Sequence, residues 1–376
     1  MLVTKLKNIT YIISSVNKSF AFEWIVENIN VSKFKLSFIL LNNSNSSLEE
    51  YLIHNNIPTY RVNYKDKKNI PSAIFQTIKI LHTLKTDIVH CHLFDACIVG
   101  LTSAKILGIK RRIHTRHNAT IHHVYHPHAV KYDRYINFLS TDIVAISKNV
   151  KEILINLEGV KENKIKLIHH GFKLSEFENI SQDRIQKIRT THFKSEPSYP
   201  VIGVISRYIN WKGIHYIIPA FKEVIKRYPN AHLVLANADG PYKNEIKKLL
   251  SELPEDSYTE INFEEDIFAL YKVFNVFVHT PIDKHSEAFG QVYIESMASG
   301  IPSVVSLSGI AIDYIKNDYN SIVVPFQNSL AIENGIFNLL ENDKLKNDII
   351  KHGKESIKQL FSIDTMILKL ENLYGE

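Results

Sequence analysis

Short apolar segments rich in β-branched residues recur along the chain, and they alternate with stretches of helical periodicity. Apolar residues three or four positions apart, as over residues 70–84, mark one face of a helix. Strands that are apolar almost throughout are typical of a parallel sheet covered on both faces. The alternation therefore predicts a doubly wound α/β architecture. The predicted strands are residues 9–15, 35–41, 87–93, 111–117, 142–147, 164–169, 201–206, 232–236, 260–263, 276–280, 302–306 and 321–324.

The chain has 376 residues, which is more than one hydrophobic core usually serves. A charged stretch, residues 172–200, interrupts the pattern and ends in Ser-Glu-Pro-Ser-Tyr-Pro, so we expect a short helix and a linker there. We predict a Rossmann-like N-terminal domain over residues 1–180, a linker over 181–199 and a second Rossmann-like domain over 200–360. Ligands of such sheets bind at the carboxyl ends of the strands. Two such domains in tandem should therefore face a central cleft.

The charge is unevenly distributed. The net charge is +6, but residues 1–200 carry +12 and residues 201–376 carry −6. A basic half favours a polyanionic partner, such as an anionic membrane surface or a phosphate-bearing acceptor, and the alternative is a solvated lysine-rich surface. Nucleic acid is not an expected partner, because no aromatic–basic nucleic-acid motif is present. The candidate membrane-facing patch consists of Lys105, Lys110, Arg111, Arg112, Arg116, Lys131 and Arg134.

The two cysteines, Cys91 and Cys97, do not have the spacing of a zinc or redox site. We interpret them as buried reduced thiols, which indicates the cytoplasm. No apolar run reaches the roughly 18 residues of a membrane span, and the N-terminal segment lacks the cleavage site of a signal peptide. We expect a cytoplasmic protein, with peripheral binding to the inner face of the cell membrane as a hypothesis.

The most specific motif is Glu287-Ala-Phe289-Gly290-Gln291-Val-Tyr-Ile-Glu295, which continues as Ser-Met-Ala-Ser-Gly-Ile-Pro. It follows a predicted strand, and its second half has helical character. Gly290 permits a ligand to approach the backbone closely, and the N–H groups at the helix start attract a diphosphate. Glu295 can accept both hydroxyls of a ribose, and Glu287 can meet the hydroxyls of a sugar. The simpler alternative is a surface helix with two incidental glutamates.

A second motif, Ser-Arg207-Tyr-Ile-Asn-Trp-Lys212-Gly, lies where the first strand of the C-terminal domain gives way to a helix. A departing nucleoside diphosphate gathers negative charge as its glycosidic bond breaks, and two fixed cations stabilise that charge. Arginine offers a planar fork to phosphate and lysine a point charge. Taken alone, this segment is more simply interpreted as a basic loop.

Together the two motifs resemble the retaining glycosyltransferases of family 4. The shared pattern is Arg-x4-Lys-Gly and, about eighty residues later, Glu-x-Phe-Gly-x5-Glu-Ser-Met-Ala-Ser-Gly-Ile-Pro. Weaker similarity extends over nearly the whole chain. It includes residues 87–92, 114–117 and 166–171, and Phe361-Ser362 before the last helix.

The resemblance implies a GT-B fold, a nucleotide-sugar donor, retention at the anomeric carbon, no metal requirement and a last helix that crosses back to the N-terminal domain. It implies that Arg207 and Lys212 hold the diphosphate, that Glu295 holds the ribose, and that Glu287 and the backbone at residues 289–290 hold the donor sugar. UDP is the nucleotide expected from the family's commonest usage. The catalytic candidates are His117, Arg207, Lys212 and Glu287; the donor-binding candidates are Arg207, Lys212, Gly240, Glu287, Phe289, Gly290, Gln291 and Glu295; the acceptor-side candidates are Ser15, Asn17, His92 and His170. His117 is implied to lie beside the reacting sugar.

The sequence departs from the family pattern at three loops. Residues 14–20 contain no glycine, where the family often has a glycine-rich loop, so we expect a difference in the acceptor or in how the phosphate side of the cleft is lined. The segment 237–241 keeps only Gly240 of the family's Gly-x-Gly. Phe263 is followed by Glu264-Glu265-Asp266 instead of x-Gly. The last two departures leave the identity of the nucleotide base open.

Six histidines lie close together in the sequence, at His114, His117, His122, His123, His126 and His128. No cysteine partner or His-Glu-x-x-His motif accompanies them, and the chain has no Asp-x-Asp pair to bind a metal-bridged diphosphate. We therefore expect no metal or other cofactor. We interpret the histidines other than His117 as a polar loop that contacts an acceptor or lipid headgroups.

These residues favour transfer of a sugar from a nucleotide donor to a hydroxyl of a glycan or lipid-linked intermediate in bacterial cell-surface polysaccharide synthesis. A nucleotide-sugar 2-epimerase shares the architecture. It needs acid–base carboxylates in the first domain, where Asp95 is the only nearby acid. A non-catalytic partner subunit is the third interpretation, and the intact Arg207, Lys212, Glu287 and Glu295 disfavour it.

Overall fold

The computed structural model describes residues 6–193 and 199–376. The chain divides into two compact units. Unit 1 comprises Met1–Phe172 and Ile363–Glu376, and unit 2 comprises Lys173–Ser362. None of the described helices is both long and apolar enough to cross a bilayer.

Unit 1 is built on a seven-stranded parallel sheet in the order β3-β2-β1-β4-β5-β6-β7. Its strands are β1 (Lys7–Ser14), β2 (Phe34–Asn42), β3 (Thr59–Asn63), β4 (Ile88–His92), β5 (Arg111–Arg116), β6 (Asp142–Ala145) and β7 (Ile165–Leu167). Its helices include α1 (Phe20–Asn28), α2 (Ser47–His54), α3 (Ile70–Thr83), α4 (Phe94–Ile106), α5 (Ile121–Tyr125), α6 (Val130–Leu139) and α7 (Lys148–Asn156). The strand order reverses between β1 and β4, and doubly wound sheets bind ligands at such a reversal.

Unit 2 contains a six-stranded parallel sheet in the order β10-β9-β8-β11-β12-β13. Its strands are β8 (Val201–Ile205), β9 (His232–Ala236), β10 (Tyr258–Ile261), β11 (Val276–His279), β12 (Ser303–Val305) and β13 (Ile322–Val323). Its helices are α8 (Gln182–His192), α9 (Ile214–Arg227), α10 (Lys243–Leu250), α11 (Ile267–Tyr271), α12 (Gln291–Ala298), α13 (Ala311–Tyr314), α14 (Ser329–Glu341) and α15 (Asp343–Phe361). Here the order reverses between β8 and β11, so the loops after these two strands occupy the ligand-binding position of this fold.

The predicted doubly wound architecture is confirmed, and each predicted strand is present with ends that differ by at most two residues. Strand β3 was not predicted. It lies at the edge of its sheet, and among its residues only Val62 is buried. Its sequence, Thr-Tyr-Arg-Val-Asn, therefore lacks the continuous apolar character of the central strands. Cys91 on β4 and Cys97 on α4 are buried and free, as predicted.

The last helix, α16 (Ile363–Gly375), belongs to unit 1. The N–H of Ile363 donates to the carbonyl of Phe172 at 3.0 Å. Near its other end, the hydroxyl of Tyr374 forms hydrogen bonds with Tyr11 and with Nδ1 of His90, on β1 and β4. The predicted return of the final helix to the N-terminal unit is confirmed.

The predicted linker differs from the structure. The two units divide at residues 172–173, and most of the segment 181–199 is helix α8 of unit 2. Ile188 packs this helix into the unit 2 core, Arg184 pairs with Asp266, and His192 bonds to Glu264 at 2.6 Å. Two carboxylates of the segment that departs from the family pattern, Glu264 and Asp266, thus bind α8. Residues 194–198 of the predicted linker, like residues 1–5 of the N-terminal segment, lie outside the described residues.

Candidate functional site

The loop after β8 is tied to the end of β11. Gly213, the residue before α9, has a left-handed backbone with φ of 75°, and a Cβ there would lie 2.0 Å from the carbonyl oxygen of Thr280. The N–H of Ile282 donates to the carbonyl of Trp211 at 3.1 Å. The two loops that flank the strand reversal are therefore packed backbone to backbone, which only a glycine at position 213 permits.

This packing joins the two sequence motifs. The ammonium of Lys212 donates a hydrogen bond to Oε1 of Glu287, and both side chains are largely shielded from solvent. The ammonium also lies 4.6 Å from the centre of the Trp211 ring. The residues are 75 positions apart in sequence, and their contact places a cation and a carboxylate together at the carboxyl edge of the sheet.

Glu287 is held as a carboxylate. Its burial opposes ionisation, but the Lys212 charge and a hydrogen bond from His279 outweigh burial and lower the pKa to about 2. His279, the last residue of β11, places Nε2 3.2 Å from Oε1 of Glu287. Burial lowers the pKa of His279, against the raising effect of the glutamate. The lowered pKa values of Glu287 and His279 both fit a neutral imidazole that donates a hydrogen bond to an ionised carboxylate.

The Glu287–Gly290 loop is supported from the segment after β12. The N–H of Glu287 donates to Oγ of Ser308 at 3.2 Å. A Cβ on Gly309 would lie 2.6 Å from the Cβ of Glu287, and the N–H of Ile310 donates to the carbonyl of Phe289. The ring of Phe289 is buried against Phe361, so any ligand contact at this residue involves its backbone.

Helix α12 begins directly after this loop. Gly290 is its N-terminal cap, with φ of 86°, and Gln291 is its exposed first residue. Unpaired N–H groups at such a helix start attract anions. Farther along the helix, Glu295 accepts a hydrogen bond from the hydroxyl of Tyr271 at 2.9 Å. Burial raises the pKa of Glu295 to about 7, although the Tyr271 bond acts in the opposite direction.

Arg207 and Gly240 lie on neighbouring loops at the same edge. Arg207 is exposed and forms no ion pair with another described residue. A Cβ on Gly240 would lie 2.4 Å from the carbonyl oxygen of Tyr208. The N–H of Tyr208 donates to the carbonyl of Asp239, which fastens the loop after β9 to the loop after β8. Gly240 is therefore required by this packing. The donor-binding candidates all lie on loops or on helix α12, beyond the carboxyl ends of β8, β9 and β11.

In unit 1, three predicted histidines come together. Nδ1 of His92 lies 3.0 Å from Nε2 of His117, and the rings of His117 and His170 stack with centroids 5.4 Å apart. Burial is the main cause that lowers the pKa of His117 to about 3 and that of His170 to about 4. Burial also holds the pKa of His92 well below its usual range, so all three are neutral at physiological pH. His92 is 5% exposed, and its bond to His117 gives it a supporting contact that the acceptor-side prediction did not include.

Ser15 and Asn17 lie on the loop after β1. Ser15 has φ of 55°, the left-handed conformation for which a glycine would carry less strain. Asn17 accepts hydrogen bonds from the N–H groups of Leu48 and Ser47, and thereby joins this loop to the start of α2. Both residues are exposed, as the acceptor-side prediction requires.

The predicted basic patch is wrong in part. Arg116 is 3% exposed and pairs with Asp133 and Glu158. Arg112 donates to the carbonyls of Leu139 and Ile109. The Arg116 guanidinium lies between buried carboxylates and is not free to bind an external anion, and that of Arg112 is engaged by part-buried carbonyls.

The histidine loop is organised around the same ion cluster. His122 lies 2.6 Å from Asp133, and His123 lies 3.2 Å from Glu158. His114 is buried and bonds to Ser140. The interpretation of these three residues as acceptor contacts is therefore replaced by intramolecular pairing. Across residues 6–193 and 199–376, no group of three or more His, Cys, Asp or Glu side chains is arranged to hold a metal ion.

Sequence reasoning missed His279, Ser308 and Gly309, which hold Glu287 in place. The signal for His279 was available, because it is a polar residue at the carboxyl end of a buried strand. Ser308 and Gly309 follow a strand whose loop has no distinctive motif, and only the tertiary contact identifies them.

The comparisons with known proteins agree with this geometry. A family profile described as Glycosyltransferase Family 4 matches residues 33–176, and one described as Glycosyl transferases group 1 matches residues 186–356. The capsular polysaccharide biosynthesis glycosyltransferase CapM of Staphylococcus aureus is 27% identical over 311 residues, covering 81% of this chain and 80% of that protein. The Escherichia coli UDP-Gal:alpha-D-GlcNAc-diphosphoundecaprenol alpha-1,3-galactosyltransferase is 22% identical, covering 85% and 82%.

Anabaena Alr3699/HepE, solved in complex with UDP and glucose, matches with a TM-score of 0.82 and 18% identity over 98% of this chain and 99% of its own. That likeness establishes the fold, and the profiles establish the family. The chain therefore belongs to glycosyltransferase family 4 and has the GT-B fold.

Proposed function

We propose that this glycosyltransferase moves a sugar from a UDP-sugar to a hydroxyl of a lipid-linked glycan intermediate in cell-surface polysaccharide synthesis, with retention and without a divalent metal. The observation that carries the proposal is the Lys212–Glu287 pair at the strand reversal of unit 2. The donor and acceptor classes follow the relatives, since CapM is a capsular polysaccharide enzyme and the galactosyltransferase is named for UDP-Gal and a diphosphoundecaprenol glycan.

The donor diphosphate would lie against Lys212, Arg207 and the start of α12. A lysine ammonium has three N–H donors, so the bond to Glu287 leaves two for phosphate oxygens. Arg207 is exposed and has no ion-pair partner among the described residues. Two cations and a helix N-terminus supply the positive charge that a divalent metal supplies elsewhere. This arrangement supports metal-independent transfer.

Glu287 and Glu295 would hold the hydroxyls of the donor. Glu287 is ionised and can accept hydrogen bonds from the transferred sugar. Glu295 has a pKa of about 7 without ligand, and a ribose diol that donates to its carboxylate would favour the charged form. The two acids thus differ in charge state before the donor binds.

Retention is proposed to follow front-face substitution. Oε1 of Glu287 is engaged by both Lys212 and His279, and a carboxylate with so low a pKa is a poor nucleophile. The acceptor hydroxyl would instead attack the anomeric carbon on the face that the diphosphate leaves. The new carbon–oxygen bond forms as the bond to phosphate breaks, and a diphosphate oxygen takes the hydroxyl proton. Positioning and charge stabilisation then supply the catalysis.

His117 is assigned to the reacting sugar through the family resemblance. As a neutral imidazole bonded to His92, it offers its other ring nitrogen for a hydrogen bond to a sugar hydroxyl. This role requires positioning and no proton transfer.

A thermal-shift panel of UDP, GDP and ADP, each with and without Mg²⁺, tests the donor site. A ligand of the native state at a hundredfold excess over its dissociation constant adds about 2.7 kcal/mol of stability. We expect a shift with UDP that Mg²⁺ does not change and that Glu295→Ala removes. Transfer assays with EDTA test the proposed independence of a divalent metal. The anomeric configuration of the product, determined by NMR, tests the proposed retention. No shift with any nucleotide would contradict the proposal and favour a non-catalytic subunit.

A further inference from the structure

Helix α6 exposes aromatic and basic side chains along one face. Lys131, Arg134, Tyr135 and Phe138 follow the i, i+3, i+4, i+7 spacing of one helix face, and all four are exposed. Phe138 is 76% exposed. The opposite face buries Ile136 and Leu139 in the core together with the polar side chains of Asp133 and Asn137. A surface helix usually places its apolar residues inward, so this outward aromatic face requires an explanation.

The buried face fixes the orientation of the helix. Asp133 pairs with Arg116 and with His122 of α5, and Asn137 donates to Glu158 at 2.6 Å. Rotating α6 to bury Phe138 would break these bonds and leave buried charges without partners, which is strongly unfavourable. The aromatic face is therefore held outward by the ion cluster.

Further apolar side chains extend the face. Val124 and Tyr125 of α5 are 62% and 52% exposed, and Tyr132 of α6 is 41% exposed. Tyr135 remains 40% exposed although its hydroxyl bonds to Thr102 of α4. We call these residues, together with the four of the α6 spacing, the α5–α6 face. Tyrosine has an apolar ring with a polar tip, which suits a boundary between water and an apolar phase.

The charge of this region is one-sided. Between Ala96 and Thr141 the sequence contains a single acidic residue, Asp133, and that residue is buried. Lys131 and Arg134 are exposed and form no ion pair with a described residue. Aromatic side chains beside cations that have no ion-pair partner, with no exposed carboxylate between residues 96 and 141, complement a surface that is apolar inside and anionic outside.

We propose that the α5–α6 face binds the surface of an anionic lipid bilayer, with α6 lying in the interfacial plane. Phe138 and the tyrosines enter the headgroup region, and Lys131 and Arg134 contact lipid phosphates. This binding surface is separate from the proposed transfer reaction. It rests on the proposed function in one respect, since membrane binding would bring the enzyme to a lipid-linked acceptor. A face that binds a partner protein would more often carry exposed residues of both charge signs.

The test is co-sedimentation of the full chain, without donor, with vesicles of phosphatidylglycerol and phosphatidylcholine in equal parts. Vesicles of phosphatidylcholine alone serve as the reference. We expect binding to the anionic vesicles that weakens as salt approaches 1 M, where the screening length falls to about 3 Å. Phe138→Ser should weaken binding about tenfold, from the loss of partly buried aromatic area. Lys131→Ser with Arg134→Ser should weaken it about 25-fold, at about fivefold for each charge.

Matched controls remove similar side chains elsewhere. Phe75 on α3 is 59% exposed, and Lys344 and Lys351 on α15 are exposed. Phe75→Ser and the Lys344→Ser/Lys351→Ser double variant should bind vesicles like the wild type. The α5–α6 variants should keep their melting temperature and nucleotide affinity, because their side chains are on the surface.

Two results would overturn the inference. One is equal affinity for neutral and anionic vesicles, or none for either. The other is a dimer in solution, seen by light scattering, that Phe138→Ser dissociates, since the face would then be an interface between two copies. Failure of nucleotide binding with intact vesicle binding would instead count against the transferase proposal alone.

Discussion

Lys212 and Glu287 form a direct ion pair although 75 positions separate them, and their side chains are 17% and 8% exposed. The pair is the point at which the loops after β8 and β11 meet. Glu287 has a second partner in His279, whereas Lys212 forms no other ion pair with a residue that the structure describes. Removing the lysine therefore takes the cation away from a buried carboxylate whose partner His279 is neutral.

Lys212→Met should destabilise unit 2 by about 3 kcal/mol, because breaking a buried pair leaves an uncompensated charge. The Lys212→Met/Glu287→Gln double variant should recover much of that loss, since the charge is gone. Urea unfolding measures both. Lys222→Met, which breaks the exposed pair with Glu252, is the control and should cost less than about 1 kcal/mol. Equal costs for the two lysines would show that the Lys212–Glu287 pair is not buried in solution.

The affinity for a UDP-sugar should depend on pH through Glu295. Its pKa is about 7 in the free protein, and ribose hydroxyls favour the ionised form, so binding should strengthen as pH rises. Between pH 6 and pH 8 the expected gain is about tenfold, because about nine-tenths of the carboxyl is protonated one unit below its pKa. Calorimetry with a UDP-sugar, whose diphosphate does not titrate in this range, measures it. Glu295→Gln should bind more weakly and with a flat pH profile; a slope that persists in this variant would assign the titration elsewhere.

Gly213→Ala should separate the two loops. The added Cβ would lie 2.0 Å from the carbonyl oxygen of Thr280, in a left-handed conformation. We expect a loss of more than about 2 kcal/mol, since strain and collision add, together with weaker nucleotide binding. Gly159→Ala is the matched control, because Gly159 has φ of 70° with nothing within 4 Å of the added Cβ. It should cost only about 1 kcal/mol. A similar loss in both variants would mean that the loops accommodate the methyl group.

His92 should set the tautomer of His117. Nε2 of His92 is buried without a hydrogen-bond partner, and an unpaired buried N–H is rarer than an unpaired acceptor. The proton should therefore sit on Nδ1 of His92 and be donated to Nε2 of His117. Ring-nitrogen NMR should then find His117 protonated at Nδ1.

The same assignment makes a kinetic prediction. His92→Leu should lower kcat about tenfold with little change in nucleotide affinity, because only the orientation of His117 is affected. His92→Asn should restore part of the rate, since its amide can donate to the same nitrogen. If Asn and Leu behave alike, His92 serves packing alone.

The amino-acid sequence by itself determined the architecture, because strand and helix periodicity are local properties. The continuous apolar runs at β1, β8 and β11 predicted buried parallel strands, and the Glu287–Glu295 motif predicted a loop and a helix start. Edge strand β3 escaped prediction since it buries a single side chain. Helix α8 was only partly anticipated, since its partners Glu264 and Asp266 lie more than seventy positions away.

The tertiary structure alone decided which charged residues face outward and which are paired. Arg116 and Arg134 are indistinguishable in a charge count, yet Arg116 is buried between two carboxylates and Arg134 lies beside exposed aromatic rings. His92 and His279 likewise show their supporting roles only through contacts with His117 and Glu287. The physical reason is that periodicity specifies which face of an element is apolar, whereas the pairing of polar groups depends on residues that the fold brings together from distant parts of the chain.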